Sequence, residues 1–399
     1  MGHALQRLKR LSAFLQTSWS ILGITFLLLL LVEVGFRITF GIRDRMSAQP
    51  VPDRRVLAEG YGGAAWPVEH YRELELLQER WEPYVYFRQK PFGGKTINIG
   101  DDGMRATWQP PAPVEARSRR GPLKILMLGG SSLWGFGARD DQTIPSLLVR
   151  SLDERGWNAE IKNLAEIGYV SAQELIALVR ALQAGYRPDI VIFYDGVNDT
   201  TSAFLEGEAG VTTNEVNRRA EFNLRQSPAR LTAALGFKLI QDSGSYRFAQ
   251  MVRRRLGGRI EQAHPQPKGQ GIDALAEQVV RRYEANVALV ASLGNSFGFR
   301  SLFFWQPTIF DKPKLVSFER EEAQRFAWAQ DMFRQVRAKI GSSSQLKTDT
   351  AFRDLSEVFA DSEGLVFIDY CHTTELANAR IAFLMAERVI EVAVRGSSK

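Results

Sequence analysis

Three short stretches of this 399-residue chain carry side chains that together can open or transfer an acyl ester. Gly129-Gly130-Ser131-Ser132 offers a hydroxyl, Gly196-Val197-Asn198-Asp199 a side-chain amide, and Asp369-Tyr370-Cys371-His372 an imidazole with a carboxylate three residues before it. A serine hydroxyl is a poor nucleophile until a neighbouring base removes its proton. An imidazole is that base when a carboxylate on Nδ1 fixes the tautomer that leaves Nε2 free. His372 with Asp369 meets the requirement. The other histidines are worse placed: His3 precedes an apolar segment, His70 falls in an aromatic stretch, and His264 lies in a Pro-flanked loop. Asn198 supplies an amide N–H for a developing oxyanion, a contribution of about 3 to 4 kcal/mol in acyl transfer. The backbone N–H of Gly168, in Asn163-Leu164-Ala165-Glu166-Ile167-Gly168, is read as a second donor.

Each fragment alone also has a plainer reading. Gly-Gly-Ser-Ser is an ordinary turn or a weak phosphate cradle, although no Gly-Lys-Ser/Thr follows to make a nucleotide P-loop. Gly-x-Asn-Asp is a turn, or a helix cap through Asn198 or Asp199. Together with a nucleophile and a base, the chemical reading is favoured.

The elements around them predict how they meet. Apolar runs at 124–128, 159–163, 189–194, 301–306 and 366–369 read as buried strands, and helical periodicity appears near 143–155, 171–185, 272–293, 319–340 and 374–394. This alternation predicts an α/β fold, a doubly wound parallel five-stranded sheet covered by helices on both faces. Ligands bind beyond the carboxyl ends of strands in such sheets, where all three fragments fall. Glycines 129 and 130 are expected to give the turn at Ser131 a positive φ or space beside the hydroxyl.

With these motifs in this order, the chain resembles the SGNH (GDSL-like) hydrolase superfamily over roughly residues 122–397. That family's pattern is Gly-Asp-Ser, a glycine in a second block, Gly-x-Asn-Asp in a third, and Asp-x-x-His near the C-terminus. The resemblance implies Ser131 as nucleophile, His372 as base, Asp369 as its partner, and the Ser131 amide, Gly168 and Asn198 as the oxyanion hole. Two departures are visible: Gly130 stands where the family has Asp, and Ala165 where many members have Gly.

Residues 1–10 read as a short tail and 11–36 as a transmembrane anchor, because residues 11–32 carry no charge and are long enough to cross a bilayer. Arg7, Lys9 and Arg10 on one side nearly balance Arg37, Arg43 and Arg45 on the other. A cytoplasmic N-terminus with the enzyme periplasmic or extracellular is expected, and a cleaved signal peptide is the alternative. Glu33 is expected to reach the interface. Residues 46–121 read as an accessory aromatic segment and linker: Trp66, Tyr71, Trp81, Tyr84, Tyr86 and Phe87 either stack on sugars or pack against the main domain, and a Pro/Arg-rich connector follows from Gln109. Residues 200–271, basic at Arg218-Arg219 and Arg253-Arg254-Arg255, read as an insertion that either shapes a groove for an anionic glycan or lipid head group or is a solvated helical excursion.

Composition bounds the rest. A 45% hydrophobic chain of this length supports one large core, and a net charge of +6 spread along it shows no nucleic-acid motif. The one cysteine, Cys371, excludes an intrachain disulfide and is read as packing. No metal-ligand spacing appears, and no cofactor is expected. The expected function is a membrane-anchored serine esterase acting on an acylated polysaccharide or lipid-linked glycan. Two alternatives stand beside it: an O-acetyltransferase fed by a membrane partner in polysaccharide machinery, and a non-catalytic glycan-binding scaffold.

Overall fold

The computed structural model describes residues 2–46, 53–58, 61–110, 121–224, 226–256 and 271–397. The Pro/Arg-rich connector beyond Pro110 and the loop containing His264 lie outside the described residues. The chain forms two units, one of residues 52–216 and 264–399, the other of residues 1–51 and 217–263.

In the larger unit, an antiparallel hairpin of β1 (Glu79–Glu82) and β2 (Tyr86–Gln89) precedes the main sheet. That sheet contains β3 (Leu123–Gly129), β4 (Ala159–Asn163), β5 (Ile190–Asp195), β6 (Arg300–Trp305) and β7 (Phe352–Asp354), in the order β4-β3-β5-β6-β7 and parallel throughout. Successive residues of β3 feed opposite faces, as the pleat dictates. Ile125 and Met127 join Leu148, Leu152, Met385 and Val389, so helices Ile144–Glu154 and Glu375–Ser397 cover one face. Leu126 and Leu128 join Leu178, Val279, Val290 and Met332, so helices Ser171–Gln183, Ile272–Phe297 and Ala327–Ser342 cover the other. Each such fully buried side chain contributes roughly 1.5 to 3 kcal/mol. The doubly wound five-stranded sandwich is therefore present.

One predicted strand is replaced. Residues 366–369 do not join the sheet; the fifth strand is Phe352–Asp354, paired with Phe303–Trp305. The physical reason is a competing acceptor. Buried Glu319 takes the N–H groups of Val366 and Phe367 at 2.9 and 3.0 Å, and Ile368 turns back to bond His372 O at 2.9 Å. The helix predicted over 319–340 is two, Ser317–Arg325 and Ala327–Ser342, joined at Phe326. Residues 200–206, read as the start of an insertion, continue helix Val197–Glu206 and bury Ala203 and Phe204 in the sheet's helical layer.

In the smaller unit, helix Gly2–Met46 contains a stretch, Phe14–Asp44, long and apolar enough to span a membrane. Helix Gly244–Leu256 docks on its C-terminal third. Glu33 accepts the N–H groups of Gly244 and Ser245 at 2.7 and 3.0 Å, Phe36 stacks on Phe248 with centroids 4.5 Å apart, and Arg247 pairs with Asp44 at 2.9 Å.

Candidate active site

The hydroxyl, the imidazole and the carboxylate meet. Ser131 opens a one-turn helix, Ser131–Trp134, directly after β3, and its Oγ lies 2.7 Å from His372 Nε2. His372 Nδ1 lies 2.6 Å from Asp369 Oδ2. The other Asp369 oxygen accepts the backbone N–H groups of Cys371 and His372 at 3.0 and 2.8 Å, closing the Asp-x-x-His loop around the carboxylate. Both residues are buried. Burial alone would raise the Asp369 carboxyl, but the His372 imidazole, Arg55 and the loop N–H groups hold it well below the usual carboxylate range. An ionised Asp369 fixes the proton of His372 on Nδ1, which leaves Nε2 to accept from Ser131.

Asn198 follows β5 in the first turn of helix Val197–Glu206. One N–H of its amide is held by Tyr169 O at 2.7 Å, and an amide nitrogen carries a second donor. Asp199, its neighbour, accepts from Ser171 N at 3.1 Å and Oγ at 2.6 Å, tying the third block to the helix that follows the second. Asp199 thus accepts an N–H at the start of helix Ser171–Gln183, while its own helix has Gly196 at the N-cap with no side-chain bond there. Gly168 holds a φ of +81°, the left-handed conformation that favours glycine. The Ser131 N–H belongs to the first helical position, where backbone donors have no intrahelical acceptor.

Gly130 has a φ of −85°, and neither it nor Gly129 adopts a positive φ. What Gly130 supplies is room: a Cβ there would lie 2.2 Å from Asn198 Nδ2. The departure from Gly-Asp-Ser is thus coupled to the placement of the Asn198 amide.

Several residues at the site carry no sequence signal. Phe136 stacks on the His372 ring at 4.4 Å. Arg55, from the accessory segment, reaches Asp369 Oδ2 at 3.3 Å, lies over the Phe136 and Tyr71 rings at 4.6 and 4.7 Å, and is held by Asp53 at 2.7 Å. Gln306, at the end of β6, donates to Ser132 Oγ at 2.5 Å and Cys371 O at 3.2 Å, linking the nucleophile turn to the base loop. The aromatic segment divides: Tyr71 is buried with Tyr61 and Ile368 behind the base loop, while Trp81 and Tyr84 are exposed.

Cys371 Sγ lies 3.7 Å from His372 Nδ1, on the far side of the ring from Ser131, and packs with Val197, Ala329 and Phe333. Burial, then the adjacent Asp369 charge, pushes its thiol well up, so it is neither a thiolate nucleophile nor a ready metal ligand. Asp369, Cys371 and His372 do offer ligand atoms within 4.8 Å of one another, but the Asp369–His372 hydrogen bond already joins two of them.

A doubly wound parallel sandwich thus carries a Ser–His–Asp relay and an Asn-bearing third block at the carboxyl edge of its sheet. Solved structures of esterases are among those the chain is similar to. One is the acetyl xylan esterase AlAXEase, 13% identical with a TM-score of 0.34, covering 67% of this chain and 99% of that one. Another is a lipolytic protein of the G-D-S-L family from Veillonella parvula DSM 2008, 9% identical with a TM-score of 0.34, covering 67% and 97%. A third is the psychrotrophic esterase EstA from Pseudoalteromonas sp., 12% identical with a TM-score of 0.31, covering 67% and 97%. No family model and no curated protein matches the chain.

Proposed function

We propose that this chain is a membrane-anchored serine esterase that removes acyl groups, acetyl foremost, from an extracytoplasmic polysaccharide or lipid-linked glycan. The observation that carries the reading is the unbroken relay from Ser131 Oγ through His372 to Asp369, with contacts of 2.7 and 2.6 Å. Ser131 attacks the ester carbonyl while His372 Nε2 takes its proton, and Asp369 stabilises the resulting imidazolium. The carbonyl oxygen, now an oxyanion, is held by the free N–H of Asn198 and the amides of Gly168 and Ser131. His372 returns the proton to the departing sugar hydroxyl, leaving an acyl-Ser131 that water, deprotonated by the same imidazole, hydrolyses to the free acid.

Anchoring is supported by the docking of helix Gly244–Leu256 on residues 33–44. Cleavage that removed the apolar helix would strip Gly244 and Ser245 of the Glu33 carboxylate. Helix Pro228–Gln241 exposes Leu235, Phe237, Leu239 and Ile240, which suits a lipid boundary.

The test is incubation of the full chain in detergent with a chromogenic acetyl ester, with and without an acceptor oligosaccharide. Free acetate that is lost in Ser131→Ala, with folding unchanged, supports the esterase. Acetylated sugar would make the chain a transferase, and neither product would make it a binding scaffold.

A further inference from the structure

Tyr84 and Tyr86 hold φ values of +68° and +74°, a region that bulky residues enter rarely and keep only where the surroundings fix them. Both belong to the β1–β2 hairpin, whose register sets Trp81 opposite Phe87 and Glu82 opposite Tyr86. The surroundings that fix it are the oxyanion block. The Tyr169 hydroxyl donates to Phe87 O, Gln173 Nε2 donates to Val85 O at 2.7 Å, and Glu166 accepts from Gln89 N at 3.1 Å and Nε2 at 3.3 Å. Arg180 pairs with Glu82 at 2.5 Å. Glu166 and Tyr169 bracket Gly168, and Tyr169 O holds the Asn198 amide. The hairpin is therefore fastened to the segment that carries the proposed oxyanion donors.

A hairpin so fastened turns two of its rings outward. Trp81 is 69% and Tyr84 77% exposed, with Pro83 exposed between them, while Val85 is 1% exposed. Apart from Pro83, the exposed apolar surface of the hairpin is aromatic, and its neighbours include the charged Arg80 and Glu82, the latter paired with Arg180. A flat ring beside hydrogen-bonding groups matches the C–H face and hydroxyl rim of a sugar, whereas a lipid-facing loop would show open-chain aliphatic side chains such as Leu or Ile as well. We propose that Trp81 and Tyr84 form a sugar-stacking subsite that holds the glycan part of the acylated substrate next to the oxyanion block. The proposal rests on the esterase reading for its kinetic consequence but not for binding.

The full chain in detergent, carrying Ser131→Ala, is titrated calorimetrically with unacetylated xylo-, manno- and galacto-oligosaccharides, alone and with Trp81→Ala, Trp81→Phe or Tyr84→Ala. At least one sugar is expected to bind, Trp81→Ala to weaken it about 5- to 10-fold, and Trp81→Phe to restore most of the loss. With Ser131 intact, Trp81→Ala should raise KM on the matching O-acetylated oligosaccharide by a similar factor and leave kcat/KM on p-nitrophenyl acetate unchanged. If wild type cleaves neither ester, the esterase reading fails, while sugar binding lost in Trp81→Ala still supports the subsite. Wild-type KM and wild-type sugar binding in both alanine variants would overturn it. So would variants that keep sugar binding but lose ring quenching by spin-labelled vesicles, an outcome that assigns the rings to a bilayer surface.

Discussion

Gly130→Ala tests the site at the point where the chain departs from Gly-Asp-Ser. The added Cβ would fall 2.2 Å from Asn198 Nδ2, whereas ordinary contact begins near 3.4 Å, so the amide has to retreat by about 1.2 Å. Asn198 is short, and its 2.7 Å bond to Tyr169 O has to break or bend as it moves. Loss of one ordinary hydrogen bond costs about 1 kcal/mol of stability. Gly→Ala at the accessible φ of −85° and ψ of −157° returns a similar amount, about 0.4 to 1 kcal/mol, through the unfolded chain. The melting temperature should therefore barely change. Catalysis has no such compensation, because a misplaced oxyanion donor costs about 10²- to 10³-fold in kcat and little in KM. Gly130→Asp, the residue the SGNH pattern places here, should be equally damaging, against the usual trend of consensus substitutions. Steady-state kinetics on p-nitrophenyl acetate with Gly130→Ala, Asn198→Ala and the double variant decide the matter, since two changes that disable one donor should not add. A Gly130→Ala enzyme with kcat within about threefold of wild type would remove Asn198 from the oxyanion hole.

Arg55→Met removes the guanidinium from Asp369 and from the Phe136 face, and kcat should fall about tenfold with Arg55→Lys recovering little, because lysine cannot stack; a wild-type kcat in the methionine variant would leave Arg55 without a positioning role. His70 is buried, accepts from Gly137 N at 3.1 Å, and has its pKa pushed down to about 2 by burial, then by Arg105 and Arg55. The unfolded chain, with an ordinary pKa near 6.5, therefore binds the extra proton between about pH 6.5 and 2, and stability rises with pH across that window. Acidifying from pH 6.5 to 5 should cost about 2 kcal/mol that His70→Gln does not lose, and urea unfolding curves running parallel for the two proteins would refute this. Glu174 and Asp195 are buried together without an ion-pair partner among the described residues, and burial, then the Asp195 charge, raises Glu174 well above the carboxylate range. A raised carboxyl loses stability as pH climbs above its unfolded value, so Glu174→Gln should gain on wild type between pH 5 and 8; a pH-independent difference would mean the pair stays ionised.

The parts of the site that are local in sequence were legible because their chemistry is written in residue types. Ser131 and Asn198 in Gly-x-Asn-Asp each announce a turn at the end of an apolar strand, and Asp369 three before His372 announces a carboxylate–imidazole pair. The continuously apolar strands 124–128 and 189–194 likewise announced a sheet covered on both faces. Residues 366–369 misled because an apolar run cannot reveal that a buried carboxylate, Glu319, will take its N–H groups before a neighbouring strand does. Arg55 was illegible for a related reason. Its partner Asp369 is 314 residues away, and nothing in an Asp-x-Arg sequence distinguishes a guanidinium that stacks beside a triad from one in solvent. Gly130 was legible as a departure but not as a cause, since the room it leaves matters only once Asn198 is known to lie across the turn.

The same long-range contacts decide where the catalytic domain begins. Sequence periodicity starts it at about residue 122, where β3 enters the sheet. The forces that shape the site start it near residue 53. Arg105, buried and facing the loop after the nucleophile, donates to Gly135 O and Ala138 O at 2.6 Å, pairs with Asp140 at 2.8 Å, and lies over the Trp134 ring at 4.4 Å. Without it, Ala138 O would lose its donor, at a desolvation cost of about 1 to 3 kcal/mol, and Gly135 O and Asp140 would keep only the N–H groups of Ala138 and Asn98. Glu73 performs the complementary task, collecting the N–H groups of Lys95, Thr96 and Ile97 and so holding the strip on which Arg105 is hung. Arg55 then braces the Asp369 loop, and the β1–β2 hairpin braces the Gly168 loop. The stretch between the apolar helix and the sheet is therefore structural to the relay: it supplies the charges and carbonyl partners that keep three separately encoded loops at hydrogen-bonding distance.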